Sequence, residues 1–348
     1  MLSRLRDEIQ RGAGWISFAR YMELVLYEPG LGYYSGRARK FGAAGDFVTA
    51  PELGSLFGRT LARQLKELSY PVLEFGAGSG ALAQALLSQQ DLDYTILETS
   101  AELRERQQAR LADRVRWLDR LPERFGGVVI ANEVLDAIPV HAVAWRSEGI
   151  MERGVTLLHG RLAWAERPAA GEVLSEAGAI SVPVPYESEL GLIGRAWMRA
   201  LAERLEEGVI FVIDYGFPRH EYYHPQRAAG TLMCHYRHQA HGDPFAHPGE
   251  QDITAHVDFS ALADAAAGCG LEVLGYATQA QFLVNCGITE VLGEVNLENA
   301  LHYAPLAAQA QKLLSPAEMG ELFKVLAVGR GLQRPLLGFS RGDRVARL

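Results

Sequence analysis

Residues 72–81 constrain the fold of this chain more than any other segment. An apolar run ends at Glu74, and Gly76, Gly78 and Gly80 then alternate with other residues before an apolar-periodic segment begins. This pattern predicts a strand, a tight turn and a helix. Glycines let a ligand approach the backbone with no Cβ in the way, and a helix N-terminus offers free N–H groups. The segment therefore predicts a nucleotide-like ligand at the carboxyl end of the first strand of an α/β sheet.

The acid before the glycines bears on which nucleotide is bound. Gly76, Gly78 and Ala81 also fit the dinucleotide fingerprint, with Glu98 at roughly the right distance to reach a ribose. A carboxylate at Glu74 would repel a pyrophosphate, whereas S-adenosylmethionine (SAM) has no phosphate and carries a sulfonium and an ammonium group. The motif therefore favours a SAM-dependent methyltransferase. A nicotinamide-dependent oxidoreductase is the alternative enzyme.

Composition and charge narrow the class of protein. The chain has 348 residues, of which 48% are hydrophobic, and a net charge of −8. It can bury a large core, and its charge disfavours non-specific binding to nucleic acid or to an anionic membrane. No apolar run approaches the length of a membrane span, so we expect no membrane insertion. The three cysteines form no CxxC pair and the N-terminus lacks an apolar signal core, which together predict a cytoplasmic protein.

The first 68 residues differ in pattern from the rest of the chain. Residues 2–9 and 18–26 have helical apolar spacing, and a glycine-rich break separates them from a further helix after residue 52. We therefore expect residues 1–68 to form a helical cap. Segment 45–52 is flanked by glycine and followed by a helix, so we expect it to act as a lid over the cofactor.

Residues 69–335 alternate between strand and helix patterns. This alternation predicts an α/β core with a mainly parallel sheet of about seven strands and helices on both faces. Three insertions are expected: an antiparallel segment at about 140–183, a long loop at 217–257 and a largely helical segment at 279–323. Apolar spacing also predicts a helix over 187–205.

Acidic and amide side chains follow most of the predicted strands, at the edge where open α/β sheets bind ligands. Glu98 is positioned to accept hydrogen bonds from ribose hydroxyls, and Asp119 could accept one from the adenine amino group. The predicted cofactor-binding residues are Glu74, Gly76, Gly78, Gly80, Glu98, Asp119 and Asn132.

Residues 132–139, with the sequence NEVLDAIP, follow the strand expected to lie nearest the methyl group. Glu133 and Asp136 are three residues apart, so on a helical turn both side chains would face the same way. Two carboxylates can bind a guanidinium through bidentate hydrogen bonds. We therefore predict that Glu133 and Asp136 are catalytic residues. The alternative is that Asn132 caps a helix and that Glu133 is exposed.

Seven of the ten histidines lie between residues 220 and 256. A metal site is one interpretation, but the segment lacks paired Cys-x-x-Cys ligands and the tight spacing of zinc sites, so we expect no metal. Asp252, His256 and Asp258 could line a substrate channel, with His256 as an alternative to Glu133 for receiving a proton. Asp258 could instead cap the helix that follows it.

Six motifs together resemble the MidA family of SAM-dependent methyltransferases, over about residues 21–330. The motifs lie at 45–52 (GDFVTAPE), 74–80 (EFGAGSG), 132–140 (NEVLDAIPV), 213–216 (IDYG), 230–232 (GTL) and 251–259 (QDITAHVDF). The resemblance implies a seven-stranded class I (Rossmann-like) methyltransferase fold and a protein-arginine substrate. Mitochondrial members of that family are arginine methyltransferases that modify a subunit of respiratory complex I and assist its assembly. A SAM-binding assembly chaperone without turnover is the non-enzymatic alternative.

Overall fold

The computed structural model describes residues 1–36, 49–295 and 300–348. The α-helices of this part of the chain are Leu2–Arg11, Phe18–Tyr27, Ser55–Leu68, Ala81–Leu87, Ala101–Leu111, Gly171–Gly178, Leu192–Ala202, Arg219–Tyr222, Phe259–Gly268, Gln279–Asn285, Ile288–Gly293, Ala300–Leu314 and Met319–Leu322. Its 3₁₀ turns are Ala50–Leu53, Ala112–Arg114, Pro225–Arg227, Leu337–Phe339 and Val345–Arg347.

The strands of the described residues form a central sheet, an inserted antiparallel sheet and a small three-stranded sheet. The central sheet has the spatial order Glu272–Thr278, Phe323–Arg330, Leu205–Phe217, Phe125–Asn132, Val72–Phe75, Tyr94–Leu97 and Arg116–Leu118. The short strand Val257–Asp258 pairs in parallel with the end of Leu205–Phe217. The predicted α/β core with about seven strands is therefore confirmed.

The central sheet is parallel except for Phe323–Arg330, which runs antiparallel to both of its neighbours. The chain places its second and third strands on one side of Val72–Phe75 and its fourth strand, Phe125–Asn132, on the other. The strand order thus reverses between Val72–Phe75 and Phe125–Asn132. Ligands of such sheets bind beyond the carboxyl ends of the strands at this reversal.

Helices cover both faces of the central sheet, which explains why its middle strands are apolar on both sides. Residues 209–213 are completely buried. Helices Ser55–Leu68 and Ala81–Leu87 pack on one face, and Leu192–Ala202 and Phe259–Gly268 pack on the other. The carboxyl ends of the parallel strands remain uncovered by these four helices.

The predicted antiparallel insertion is present as a meander of the strands His141–Arg146, Gly149–Leu158 and Arg161–Pro168. The next strand, Tyr186–Leu190, pairs with the first of these. The prediction of a helix over 187–205 is therefore wrong at both of its ends. Its first residues form this strand, its middle is the helix Leu192–Ala202, and Leu205 begins a strand of the central sheet.

The N-terminal segment divides between two hydrophobic clusters. Helices Leu2–Arg11 and Phe18–Tyr27 pack on the inserted sheet, and the short strand Ile16–Ser17 pairs with Gly149–Leu158. Helix Ser55–Leu68 packs instead on the central sheet. The residues predicted to form one helical cap therefore contact two different sheets.

The segment 217–257 is more ordered than the long loop that we predicted. It contains the small sheet of strands Met233–Tyr236, Gln239–His241 and Asp252–Thr254. The segment 279–323 consists largely of helices, as predicted. Among the residues that the structure describes, no helix is long and apolar enough to cross a bilayer.

We predict that Gly154→Ala destabilises the protein, because the N-terminal segment lies directly against this glycine. A Cβ at Gly154 would lie 2.2 Å from the carbonyl oxygen of Ile16 and 2.3 Å from the Trp15 ring. Overpacking of this kind costs about 1–3 kcal/mol. Gly178→Ala is the matched control, because no atom lies within 4 Å of its added Cβ. Thermal unfolding should show a lower Tm for Gly154→Ala alone, and equal values for the two variants would contradict the described packing.

Candidate cofactor and acceptor site

A cavity of about 660 Å³ opens at the carboxyl ends of the central strands. Among the described residues that line it, six are acidic and none is basic. The acidic residues are Glu52, Glu74, Glu98, Glu102, Glu133 and Asp136. A cavity with this charge attracts cationic ligands.

The glycine turn forms one wall of the cavity. Gly76 and Gly78 line it with φ angles of +59° and +55°, a conformation that residues with a Cβ rarely adopt. Gly80 also has a positive φ but does not line the cavity. A Cβ at Gly80 would lie 3.1 Å from Leu111 Cδ1, so this glycine permits helix packing. Only two of the three predicted glycines therefore offer backbone to a ligand directly.

Glu98 is held at the next strand end by a network of hydrogen bonds. Its carboxylate accepts from the Ser100 N–H at 2.8 Å and from Gln107 Nε2 at 3.0 Å. Gln107 Nε2 also donates to the Gly78 carbonyl, and its Oε1 accepts from Trp117 Nε1. Gln107 thus connects the glycine turn to Glu98. Sequence reasoning missed Gln107 because it lies on a helix whose neighbouring residues are mostly charged and exposed.

Glu74 lines the cavity but is 3% exposed, and Tyr94 Oη donates a 2.8 Å hydrogen bond to its carboxylate. Burial raises the pKa of Glu74 to about 8. The predicted carboxylate is therefore largely protonated at neutral pH when no cation lies beside it. A bound sulfonium or ammonium group would favour its ionised form.

Asp119 does not line the cavity, so its position gives no support to the prediction that it binds adenine. Its side chain is 80% exposed and forms an ion pair with Arg104 at 2.7 Å. Asp119 follows Arg116–Leu118, which is the edge strand of the central sheet. At this edge the carboxylate points to solvent and to its arginine partner.

The loop after Phe125–Asn132 brings Glu133 and Asp136 into the cavity, but without the helical turn that we predicted. The backbone of Glu133 has a φ of +53°, and no helix begins here. The carboxylate of Asp214 instead accepts hydrogen bonds from the N–H groups of Val134, Leu135 and Asp136 at 3.2, 2.9 and 3.3 Å. The alternative that Asn132 caps a helix is wrong for the same reason.

Glu133 and Asp136 are both poised to change protonation near neutral pH. Glu133 accepts hydrogen bonds from the Ala50 N–H at 3.0 Å and from Asn132 Nδ2 at 3.1 Å, while Asp136 accepts one from Tyr215 Oη at 2.6 Å. Burial raises the pKa of Glu133 to about 8 and that of Asp136 to about 6. Asn132 also lines the cavity, although its amide is engaged by Glu133.

The predicted lid is described only in part, since residues 45–48 lie outside the described residues. Thr49, Pro51 and Glu52 line the cavity. The Ser79 hydroxyl of the glycine turn donates a hydrogen bond to the Glu52 carboxylate. This end of the segment therefore contacts the turn, while lid movement stays a prediction.

His256 and Asp258 do not line the first cavity, and their place in a substrate channel stays a prediction. They line a second, smaller cavity of about 210 Å³. The His256 ring packs edge-on against Tyr215 at 5.2 Å, and burial lowers the pKa of His256 to about 4. Asp258 caps the helix Phe259–Gly268 by accepting the Ala261 N–H at 3.0 Å, which was the alternative interpretation.

Asp252 is connected to the first cavity through an aromatic residue. It is buried, and it accepts a 3.0 Å hydrogen bond from Tyr34 Oη. Tyr34 and Tyr27 both line the cavity, and Tyr27 Oη donates to the Ala137 carbonyl at 2.9 Å. Sequence reasoning missed these two tyrosines, because they flank a turn whose Pro and Gly residues were the stronger signal.

The crowded histidines of the segment 217–257 differ in burial: His220, His224 and His238 are exposed, whereas His256 is partly buried. Among the described residues, no group of three or more His, Cys, Asp or Glu side chains could hold a metal ion. His247, for example, stacks on Tyr236 with ring centroids 3.9 Å apart. These contacts give no support to the metal interpretation.

Comparisons with known proteins agree with this geometry. Residues 56–277 match the model of a family described as "Putative S-adenosyl-L-methionine-dependent methyltransferase". A crystal structure from Burkholderia thailandensis, bound to S-adenosyl-homocysteine, is 51% identical with a TM-score of 0.96, and covers 100% of this chain and 96% of that chain. The mitochondrial protein arginine methyltransferase NDUFAF7 homolog of Drosophila melanogaster is 28% identical, covering 98% of this chain and 88% of the relative. The human NDUFAF7 is 27% identical, covering 94% and 83%.

The sheet order, the glycine turn and the acidic cavity define a class I SAM-dependent methyltransferase. The chain belongs to the S-adenosyl-L-methionine-dependent methyltransferase family that matches residues 56–277, and its resemblance to the MidA family is confirmed. The residues present fit SAM, because Gly76 and Gly78 leave backbone open to the cofactor and the acidic lining complements its positive charges. The nicotinamide alternative is therefore set aside.

We predict that Glu98→Gln weakens binding of S-adenosyl-homocysteine about tenfold or more. A carboxylate can accept from both ribose hydroxyls, and charge-assisted hydrogen bonds contribute about 1.5–3 kcal/mol. Asp119→Asn is the matched control and should bind within twofold of wild type, because Asp119 is exposed. Isothermal titration calorimetry measures both affinities. Equal losses in the two variants would contradict this assignment.

Proposed function

We propose that this methyltransferase acts on an arginine side chain of a protein. The observation that carries the proposal is the pair of carboxyl groups of Glu133 and Asp136 in a cavity whose described lining contains no basic residue. The curated relatives named above are protein arginine methyltransferases. The resemblance to the MidA family extends the proposal to a subunit of a respiratory complex as the substrate. The three free cysteines suit action in the reducing cytoplasm.

The acidic pair suits a guanidinium better than a neutral acceptor. A guanidinium is planar and permanently charged, and it can donate hydrogen bonds to two carboxylates at once. Asp136 Oδ1 is buried with no hydrogen-bond partner among the described residues, so an entering donor would satisfy this oxygen if the side chain turned toward the cavity. Entry of the cation would also favour the ionised forms of Glu133 and Asp136.

Positioning is the main task of the protein in this reaction. Bound SAM supplies an electrophilic methyl group for in-line displacement, so alignment of the acceptor nitrogen dominates the rate. Glu133 and Asp136 would orient the guanidinium and balance its charge. An arginine is protonated at neutral pH, so one proton must leave. Glu133 suits its removal, because burial raises the pKa of Glu133 to about 8 and makes its carboxylate a stronger base than usual.

The proposal is tested by mass spectrometry of methylarginine in cells with and without the gene. We expect specific methylarginine sites to disappear on deletion and to return with the wild-type gene. The purified protein with SAM should also methylate the same sites in extract from the deletion cells. Unchanged methylarginine in both experiments, with SAM binding intact, would contradict the proposal and favour the non-enzymatic chaperone.

We predict that Glu133→Gln lowers methyl transfer about 100-fold while affinity for S-adenosyl-homocysteine stays within twofold of wild type. The amide oxygen can still accept the Ala50 N–H, so the loop keeps its shape, but the charge that stabilises the cation is lost. Radiolabelled methyl transfer and calorimetry measure the two effects. Glu206→Gln is the control, because this glutamate is exposed and pairs with Arg124 far from the cavity. Loss of cofactor binding together with activity would rule out an acceptor role.

We predict that kcat/KM for the acceptor, measured with saturating SAM, rises with pH and levels off by about 8, because the positive charge of bound SAM lowers the pKa of Glu133 from its value of about 8 in the ligand-free protein. The Glu133 carboxyl group is protonated below its pKa in this complex and ionised above it. Because the ionised form binds the cation, activity grows as the proton leaves and then levels off. In Glu133→Gln this rise should be absent, leaving only the change near pH 6 that Asp136 causes. An identical pH profile in the variant would contradict the role of Glu133.

A further inference from the structure

Tyr27 presents an aromatic surface to the cavity. It is the last residue of the helix Phe18–Tyr27, it lines the cavity, and it is 41% exposed. One face of its ring is covered by Tyr34, with ring centroids 5.5 Å apart and planes inclined by 20°. Among the described residues, Tyr34 is the residue whose ring stacks on Tyr27. Because Tyr27 lines the cavity and is 41% exposed, part of its ring is accessible to a ligand there.

The hydroxyl of Tyr27 fixes this ring beside the acceptor loop. Tyr27 Oη donates a 2.9 Å hydrogen bond to the carbonyl of Ala137, the residue after Asp136. Desolvation of its hydroxyl raises the pKa of Tyr27, with smaller contributions from the negative charges of Asp252 and Asp136. The phenol therefore stays neutral, and its proton is engaged by the backbone. Because the hydroxyl of Tyr27 is already bonded, the face of its aromatic ring is the part that can contact a ligand.

We propose that the Tyr27 ring is the platform on which the guanidinium of the acceptor arginine stacks, while Glu133 and Asp136 bind its N–H groups. This inference rests on the proposed function. A guanidinium stacks on an aromatic face and donates hydrogen bonds in its own plane, so the ring and the carboxyl groups bind different parts of it. A lysine ammonium is a compact point charge without a flat face. Tyr27 would therefore help to select arginine over lysine.

The test compares Tyr27→Phe, which keeps the ring, with Tyr27→Leu, which removes it. The acceptor is a synthetic peptide that carries the arginine mapped by mass spectrometry above, and a second peptide has lysine at that position. With saturating SAM, we expect Tyr27→Leu to raise KM for the arginine peptide about tenfold, with a smaller change in kcat. Tyr27→Phe should stay within about twofold of wild type. Tyr236→Leu is a control, because Tyr236 is an aromatic residue in the small sheet.

Affinity for S-adenosyl-homocysteine and for SAM separates the acceptor role from the alternatives. Both affinities should be unchanged in Tyr27→Leu, and its preference for arginine over lysine should fall. Equal KM values for Tyr27→Phe and Tyr27→Leu would overturn the platform, whether both stay at the wild-type value or both rise. Selective loss of SAM affinity would assign Tyr27 to the sulfonium and also overturn it.

Folding and the proposed function have their own controls. If Tyr27→Leu fails to bind S-adenosyl-homocysteine, Tyr27→Met is measured in its place, because its flexible side chain can fill the vacated volume. Failure of both variants would make Tyr27 a residue of the cofactor site and overturn the inference. If the wild-type protein transfers no methyl group to any arginine, the proposed function itself fails. If the wild-type protein methylates the arginine peptide and Tyr27→Leu does so with the same KM, only the platform is contradicted.

Discussion

The active geometry depends on one buried carboxyl group, that of Asp214 at the end of the strand Leu205–Phe217. It is completely buried, and it accepts three successive N–H groups of the loop after Phe125–Asn132 and the N–H of Tyr215. Burial and the nearby carboxyl groups raise the pKa of Asp214, while the hydrogen bonds from the backbone favour its ionised form. These bonds fold the loop back so that Glu133 and Asp136 enter one cavity. Without Asp214, three backbone donors of this loop would lose their partner.

A second set of contacts joins the cofactor and acceptor halves of the cavity. The 3₁₀ turn Ala50–Leu53 is hydrogen-bonded to both halves: Ser79 of the glycine turn donates to Glu52, and the Ala50 N–H donates to Glu133. Because this short turn is bonded on both sides, a displacement of one partner moves the whole turn and therefore reaches the other partner. The orientation of the acceptor carboxyl group is thus physically linked to the turn that receives the cofactor.

Local features of the site were predictable from sequence, whereas features that depend on distant partners were not. The turn with Gly76 and Gly78 follows from adjacent residues, so its conformation and position at the strand end were predicted correctly. Glu133 and Asp136 were correctly predicted to share a site, but the helical turn was wrong because the loop is shaped by Asp214, almost 80 residues later. The strand Tyr186–Leu190 was missed because its buried Glu189 finds its partner in Thr231, so a polar residue interrupts the apolar pattern.

The pKa values of the carboxyl groups that line the cavity explain how several acidic residues can lie close together. Burial raises the pKa of Glu74 and of Glu133 to about 8 and that of Asp136 to about 6, so these carboxyl groups are partly protonated at neutral pH when no cation lies beside them. Each cation that enters favours ionisation of the carboxyl groups around it. SAM brings two positive centres and an arginine brings a third. The cavity is therefore complementary to cations that arrive in sequence. Each bound cation causes carboxyl groups to release protons, so the negative charge of the cavity increases as the positive charge of its ligands increases.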